Sequence, residues 1–301
     1  MKCSKQKGAF CHAGRPSYPH ILDGADWRAA IAAHRGGPNE AVIRQRLQAY
    51  QAAGVTYLRD GGDRWGVCLL AAQLAPEYGI RYAAPGAPLC PTGRYGGFLG
   101  RGFAGCDEFR RLVAVNKQRG ADFIKLILSG LMDFSSPGAL TEPDLPRQVI
   151  ADCIAIAHDA GLPVMVHCNG AAVCLAAIQA GADSLEHGAY LDDEALAALA
   201  ESQTVWVPTL APIGNLLGDG RYPDAALREI LAAQQRRVRQ AFLAGAKIAC
   251  GSDAGAYRVP HGQALRDERR FLAQALEGLA WEDSLAASGQ ALQRVFAPAR
   301  R

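Results

Sequence analysis

No stretch of the 301 residues is apolar for long enough to cross a bilayer, which argues against a membrane partner. Neither sign of charge dominates. A formal net charge of +3, with acidic and basic residues interspersed, leaves no field that would favour nucleic acid or an acidic lipid surface. The nine cysteines include no C-x-x-C pair, and several (Cys68, Cys153, Cys174, Cys250) sit in apolar stretches without paired spacing. That pattern excludes a zinc knuckle and a disulfide framework and fits reduced thiols in a cytoplasm. The basic opening, Met1-Lys2-Cys3-Ser4-Lys5-Gln6-Lys7, is not followed by the apolar segment of a secretory leader before Arg15 and Pro16, so a cytoplasmic location is expected. Linkers and low-complexity segments are also missing. Half of the residues are apolar, enough for a large core, and one domain spanning 1–301 is expected, with residues 1–38 poorly patterned. The expected partner is a small molecule; self-association is left open.

What is present is a repeated strand and helix alternation, clearest over 162–188. Two short apolar runs, ending at His167 and His187, flank a helical segment with Ala172, Leu175, Ala176 and Ile178 on one face. Consecutive parallel strands need such a crossover. The same alternation gives strands at 55–60, 80–84, 121–128, 204–209 and 247–251. Helices are expected at 39–54 (with Asn39 as N-cap), 67–78, 106–119, 147–160, 192–201, 224–244, 262–279 and 281–296. Adding an ill-defined first strand near 8–22 makes eight strands, each followed by helix, the tally of a (β/α)8 TIM-type barrel. Two connections, the glycine-rich 85–105 and 129–146, are too long for simple turns and are expected to be binding loops or lids.

Four strands end at or pass through a residue suited to a metal site: Lys125, His167, His187 and Asp253. In a barrel the C-terminal strand ends form one bowl, so residues far apart in sequence converge there. Singly, each has an ordinary explanation: a hydrogen-bonded histidine, a turn-capping aspartate, a lysine reaching past the strand end to solvent. Lys125 is the unusual member, because an ammonium has donors only. Burial favours its neutral amine, which can form a Schiff base or add carbon dioxide to become an anionic carbamate.

The set Phe123-Ile124-Lys125, Val166-His167, Ser184-Leu185-Glu186-His187-Gly188, Val207-Pro208-Thr209-Leu210 and Gly251-Ser252-Asp253-Ala254-Gly255, preceded by the segment 54–62, resembles the metal-dependent amidohydrolase superfamily. Within it, the imidazolonepropionase-like and Xaa-Pro-dipeptidase-like branch is the most similar. The resemblance covers roughly residues 40–262. It implies a (β/α)8 barrel with one or two divalent ions, usually Zn2+, an N6-carboxylated Lys125 as bridging ligand, and His167 and His187 on the second ion. Asp253 would bind the first ion and shuttle the proton of the attacking water. The implied reaction is hydrolysis of a C–N bond in a cyclic amide or imide, an N-acyl amino acid or a dipeptide-like molecule.

The chain departs from the family in having no His-x-His; His12 and His20 are the nearest candidates for the first-strand ligands. The β-sandwich that flanks the barrel in longer relatives is not expected. Substrate contacts are expected from Arg94 and Tyr95 on the glycine-rich loop, from Tyr190, and from Tyr257, Arg258 and His261 after Asp253. Two alternatives stand beside the hydrolase: a Schiff-base aldolase using Lys125, and a catalytically impaired binding protein in which the missing His-x-His has removed activity.

Overall fold

The computed structural model describes residues 20–298. Every strand ladder among them is parallel. Strands β1 (Tyr57–Arg59) and β2 (Arg81–Ala83) pair with each other. The remaining strands are β3 (Leu89–Pro91), β4 (Arg101–Phe103), β5 (Ile124–Ile127), β6 (Val164–Cys168), β7 (Ser184–His187) and β8 (Val205–Val207). They form one sheet in the order β4-β3-β5-β6-β7-β8. Asp122 joins the two sheets: its N–H donates to the Ala84 carbonyl, and its carboxylate accepts from the Ala84 N–H, each at 2.8 Å. Beyond β8 a single parallel bridge connects Trp206 with Ile248.

The helices are α1 (Trp27–Ala32), α2 (Glu40–Ala52), α3 (Val67–Leu74), α4 (Cys106–Gln118), α5 (Arg147–Asp159), α6 (Ala171–Gln179), α7 (Asp193–Glu201), α8 (Ala211–Gly214), α9 (Asp224–Leu243), α10 (Ala264–Ala275) and α11 (Glu282–Val295). Asn39 caps α2 as the sequence predicts, accepting from the Val42 N–H, and Asp192 caps α7 through the Ala195 N–H. Helices α4 to α7 pack each on the next, outside the strands they connect. None of the described helices is long and apolar enough to cross a membrane.

Strands β5, β6 and β7 are buried along their whole length, as parallel strands covered on both faces must be. On the inner side, Ala83, Phe123, Met165, Val205, Val207 and Ala249 form one apolar cluster, closed by Leu292 and Phe296 at the end of α11. Side chains from five strand segments meeting in a single layer is the interior of an α/β barrel of the TIM type. Arg59 crosses that interior from β1 to β7, donating to Ser184 Oγ at 2.8 Å and pairing with Glu186 at 3.1 Å. Its guanidinium lies 4.3 Å from the centre of the Phe296 ring.

Several expectations are revised. The glycine-rich 85–105 is not only a loop, because it contains β3 and β4. Glycine there permits close strand approach: a Cβ on Gly100 would lie 2.2 Å from the Pro88 carbonyl oxygen. The expected strand at 247–251 is reduced to the Ile248 bridge. Helix α1 lies within the poorly patterned opening, capped by Asp26. Of the first strand expected near 8–22, residues 20–22 are turn and irregular chain, and the earlier residues lie outside those described. Residues 20–24 nevertheless link the end of β1 to the segment that follows the Ile248 bridge. The His20 N–H donates to Asp60 after β1, and Gly24 exchanges backbone hydrogen bonds with Gly255 and Arg258.

Candidate active site

The parallel register sets Ile127 beside His167, His167 beside Glu186, and Cys168 beside His187, so the ends of β5, β6 and β7 lie level. Lys125, His167, Glu186, His187, Thr209 and Asp253 line one cavity at this edge. Glu186 and His187 are consecutive, and in a regular strand their side chains would point to opposite faces. The positive φ of His187 (69°) breaks that alternation and turns the imidazole into the same cavity. Thr209 (φ 50°) and Asp253 (φ 56°) are distorted in the same sense. Three left-handed non-glycine residues around one cavity mark a site whose surroundings impose the strain. At His187 the imposing groups are visible: Trp206 Nε1 and Gln234 Nε2 donate to its carbonyl at 3.0 and 2.8 Å.

The two imidazoles lie with ring centres 4.6 Å apart. His187 Nδ1 is 2.7 Å from Thr209 Oγ1, which leaves Nε2 for a ligand; His167 Nε2 is 3.3 Å from the Gly130 carbonyl, which leaves Nδ1. Burial, reinforced by the Lys125 charge, pushes the His167 pKa down to about 3. Burial and the neighbouring His167 hold His187 well below the usual imidazole range. Both rings are therefore neutral, the form that binds a metal. Burial also lowers the Lys125 pKa to about 8, against the opposing pull of Glu186 and Asp253, which brings the neutral amine within reach near neutrality. Asp253 is raised well above an ordinary carboxylate by burial, partly offset by Lys125. Among the described residues, Glu186 Oε2 is buried without a hydrogen-bond partner.

Among the described residues no three His, Cys, Asp or Glu side chains converge as a ready cation site. Two neutral imidazoles, a carboxylate and a lysine amine on one cavity nonetheless fit a divalent ion in donor chemistry. Carboxylation of Lys125 would replace its amine with a second anionic oxygen donor beside that of Asp253.

His20 lies elsewhere. Its ring is buried among Tyr50, Tyr82 and His261, with Nε2 3.3 Å from the Ile43 carbonyl, and it does not line the cavity. His12 lies outside the described residues. Of the expected substrate contacts, Tyr95 and Tyr257 line the cavity. Arg258 is instead ion-paired with Asp219, and Arg94 donates to the Pro143 carbonyl. His261 sits between Tyr50 Oη and the Leu22 carbonyl, and Tyr190 borders a separate pocket between α7 and α9. For Arg258, Arg94 and His261 a partner distant in sequence sets the side chain's direction. The sequence reading did not single out Thr209 or Glu186 as site residues, although both stand in the motif stretches that end at the cavity. Nor did it find Trp27, Phe98, Phe134, Arg221 and Tyr222 of the outer cavity, whose signal is only their place on or beside long connections.

The profile of the amidohydrolase family matches residues 27–288. An uncharacterized protein of Mycobacterium tuberculosis is 34% identical over 157 residues, covering 50% of this chain and 41% of that protein. Ochratoxinase of Aspergillus niger is 28% identical over 200 residues, covering 62% of this chain and 38% of the relative. The chain thus spans about two fifths of the length of these relatives. Among solved structures, a Xaa-Pro dipeptidase with methionine in its active site superposes with a TM-score of 0.76 at 22% identity, covering 95% of this chain and 75% of that one. The A. niger ochratoxinase structure gives 0.74 at 21%, covering 95% and 71%.

Proposed function

Since this chain belongs to the amidohydrolase family, we propose that it hydrolyses a carbon–nitrogen bond in a small amide, using one divalent ion, Zn2+ by its donor set. The observation that carries this reading is the placement of Lys125, His167, His187 and Asp253 on a single narrowing cavity. Its inner end admits about 30 Å³ and its outer part about 450 Å³. The inner space suits a water or two, and the outer space suits a substrate.

His167 Nδ1, His187 Nε2 and a carboxylated Lys125 would hold the ion. Carboxylation forms a bond between the Lys125 nitrogen and the carbon of carbon dioxide, with release of the amine proton. A divalent ion held there supplies positive charge that acidifies a nearby water and polarises the amide carbonyl. Thr209 fixes the tautomer and orientation of His187. Asp253, whose raised pKa lets it retain an acquired proton, accepts one from water as the oxygen adds to the amide carbon. It returns that proton to the nitrogen as the C–N bond breaks. Tyr95 and Phe98, from the connection between β3 and β4, wall the cavity and restrict bulk water. The seven described cysteines are free thiols, which supports a reducing, cytoplasmic compartment.

A second reading, Schiff-base chemistry at Lys125, is favoured by the low pKa of that amine. The position of His20 outside the cavity favours a third, binding without turnover. Metal analysis after growth with zinc separates them. The hydrolase reading expects about one ion per chain, loss of amide cleavage on chelation, and loss of about 10²-fold or more in Asp253→Asn. A substoichiometric ion, or borohydride trapping of substrate on Lys125, would sink it.

A further inference from the structure

Trp206 and Gln234 impose the left-handed turn at His187. At Thr209, whose φ is 50°, the imposing group stands behind the cavity, on α10. Glu268 is fully buried there, and its Oε2 accepts from the Ala211 N–H at 2.7 Å. The Leu210 N–H is directed to the same carboxyl. These are the first two amides after Thr209.

Helix α8, which begins at Ala211, has four residues, too few to persist as an isolated turn. Helix α10 grips it at both ends. Beyond the Glu268 bond at its start, Phe271 packs so closely at its end that a Cβ on Gly214 would lie 2.0 Å from the ring, and Asn215 Nδ2 donates to Asp267 at 3.2 Å. The chain leaving Thr209 is thus fixed to a twelve-residue helix within two residues of the turn. Backbone strain persists where the surroundings over-determine it, and here they do.

For a cap on one short turn, Glu268 is a costly residue. Its Oε1 is buried without a hydrogen-bond partner among the described residues, and a carboxyl taken out of water with one oxygen unpaired costs free energy. A gain at the cavity would offset that cost. Burial, against the pull of the two amides, raises the Glu268 pKa to about 8, and the oxygen on Ala211 accepts with or without the charge. Hydrogen bonding is therefore what the side chain supplies.

Glu268 lines neither part of the cavity. We propose that it is a positioning residue: through the amides after Thr209 it holds that residue in its left-handed turn, which keeps Thr209 Oγ1 on His187 Nδ1 and presents Nε2 to the cavity. Only the last step, delivery of Nε2 to an ion, rests on the hydrolase reading.

Three variants test the assignment. Glu268→Gln keeps an acceptor oxygen for the amides, Glu268→Asp keeps the carboxyl but draws it back by a methylene, and Glu268→Met keeps the bulk without the acceptor. In zinc-loaded protein, retention against a chelator is expected to fall about tenfold or more in Glu268→Asp and Glu268→Met and to stay within about threefold of wild type in Glu268→Gln. Should Glu268→Met fail to fold, the Asp and Gln pair carries the comparison. Thr209→Val removes the intermediary. Adding it to Glu268→Asp should weaken retention no further than Thr209→Val does alone, within about twofold, because residues acting in series are not additive. A residue that only stabilised the fold would lower the melting temperature and add its effect to that of Thr209→Val.

The metal-free protein gives an independent readout. Heteronuclear NMR of the histidine ring nitrogens, with the His187 signals identified by their loss in His187→Gln, should show a single tautomer protonated at Nδ1 in wild type and Glu268→Gln, and a tautomer mixture in Glu268→Asp. Unchanged zinc retention in Glu268→Asp, loss in Glu268→Gln equal to that in Glu268→Asp, additivity with Thr209→Val, or a single Nδ1 tautomer in Glu268→Asp overturns the proposal. A wild type that holds no zinc removes the hydrolase reading alone, and the tautomer comparison then decides the role of Glu268.

Discussion

Gly188 holds open the space in which the His187 turn is made. A Cβ there would lie 2.5 Å from Trp206 Nε1 and 3.1 Å from Cε2, at a φ of +59° that disfavours any side chain. Gly188→Ala therefore meets both a clash and a backbone penalty and is expected to cost about 2–3 kcal/mol. Urea unfolding monitored by fluorescence measures this; a loss below about 0.5 kcal/mol would show that the Trp206 indole moves aside freely. At Thr209 the effect is on the ligand. Thr209→Val keeps the shape but removes the hydroxyl at His187 Nδ1, so metal retention against a chelator should weaken about 10- to 100-fold while the melting temperature of the apo protein changes little. Unchanged retention would mean that packing alone orients the imidazole.

At the scale of elements, α5 is tied to the β6 and β7 region by a titrating pair. His158 Nε2 lies 2.9 Å from Asp183 Oδ2, and the same oxygen accepts from the Val164 N–H at 2.7 Å. The bond to Asp183 raises the His158 pKa above its ordinary 6.5. The charged form is favoured in the folded state, so this contribution to stability is fully present below about pH 6.5 and is lost as pH rises through the folded pKa. Replacement by Gln should lower the melting temperature more near pH 5.5 than near pH 9, and equal shifts at both would deny the pair a titrating role. Helix α2 follows from its periodicity and the Asn39 cap, α9 from its length of helix-forming chain, and β6 and β7 from apolar runs. By contrast, β3 and β4 were not legible, because glycines that read as flexible chain are there required by the closeness of Pro88.

For the whole molecule, the inner layer ends on Phe296, which packs edge-on against Phe123 at 5.2 Å, accepts from Tyr57 Oη at its carbonyl and lies under Arg59. Phe296→Ala opens a cavity in that layer next to a buried ion pair, with an expected cost of about 3–5 kcal/mol. Denaturant unfolding checks it, and a cost under about 1 kcal/mol would show that α11 is not needed to close this end of the barrel.

The sequence by itself determined which strands carry Lys125, His167 and His187, and that these residues and Asp253, which follows the Ile248 bridge, reach one cavity. In a parallel α/β barrel the chain direction sends every strand's C-terminal end to the same side. Tertiary structure alone decided which loop residues reach the cavity. Arg258, Arg94 and His261 are drawn away by Asp219, the Pro143 carbonyl and Tyr50, while Arg221 is brought in on two tyrosines. A loop side chain takes its direction from whichever charge, carbonyl or ring the packing of distant segments sets beside it, and no local pattern encodes that neighbour.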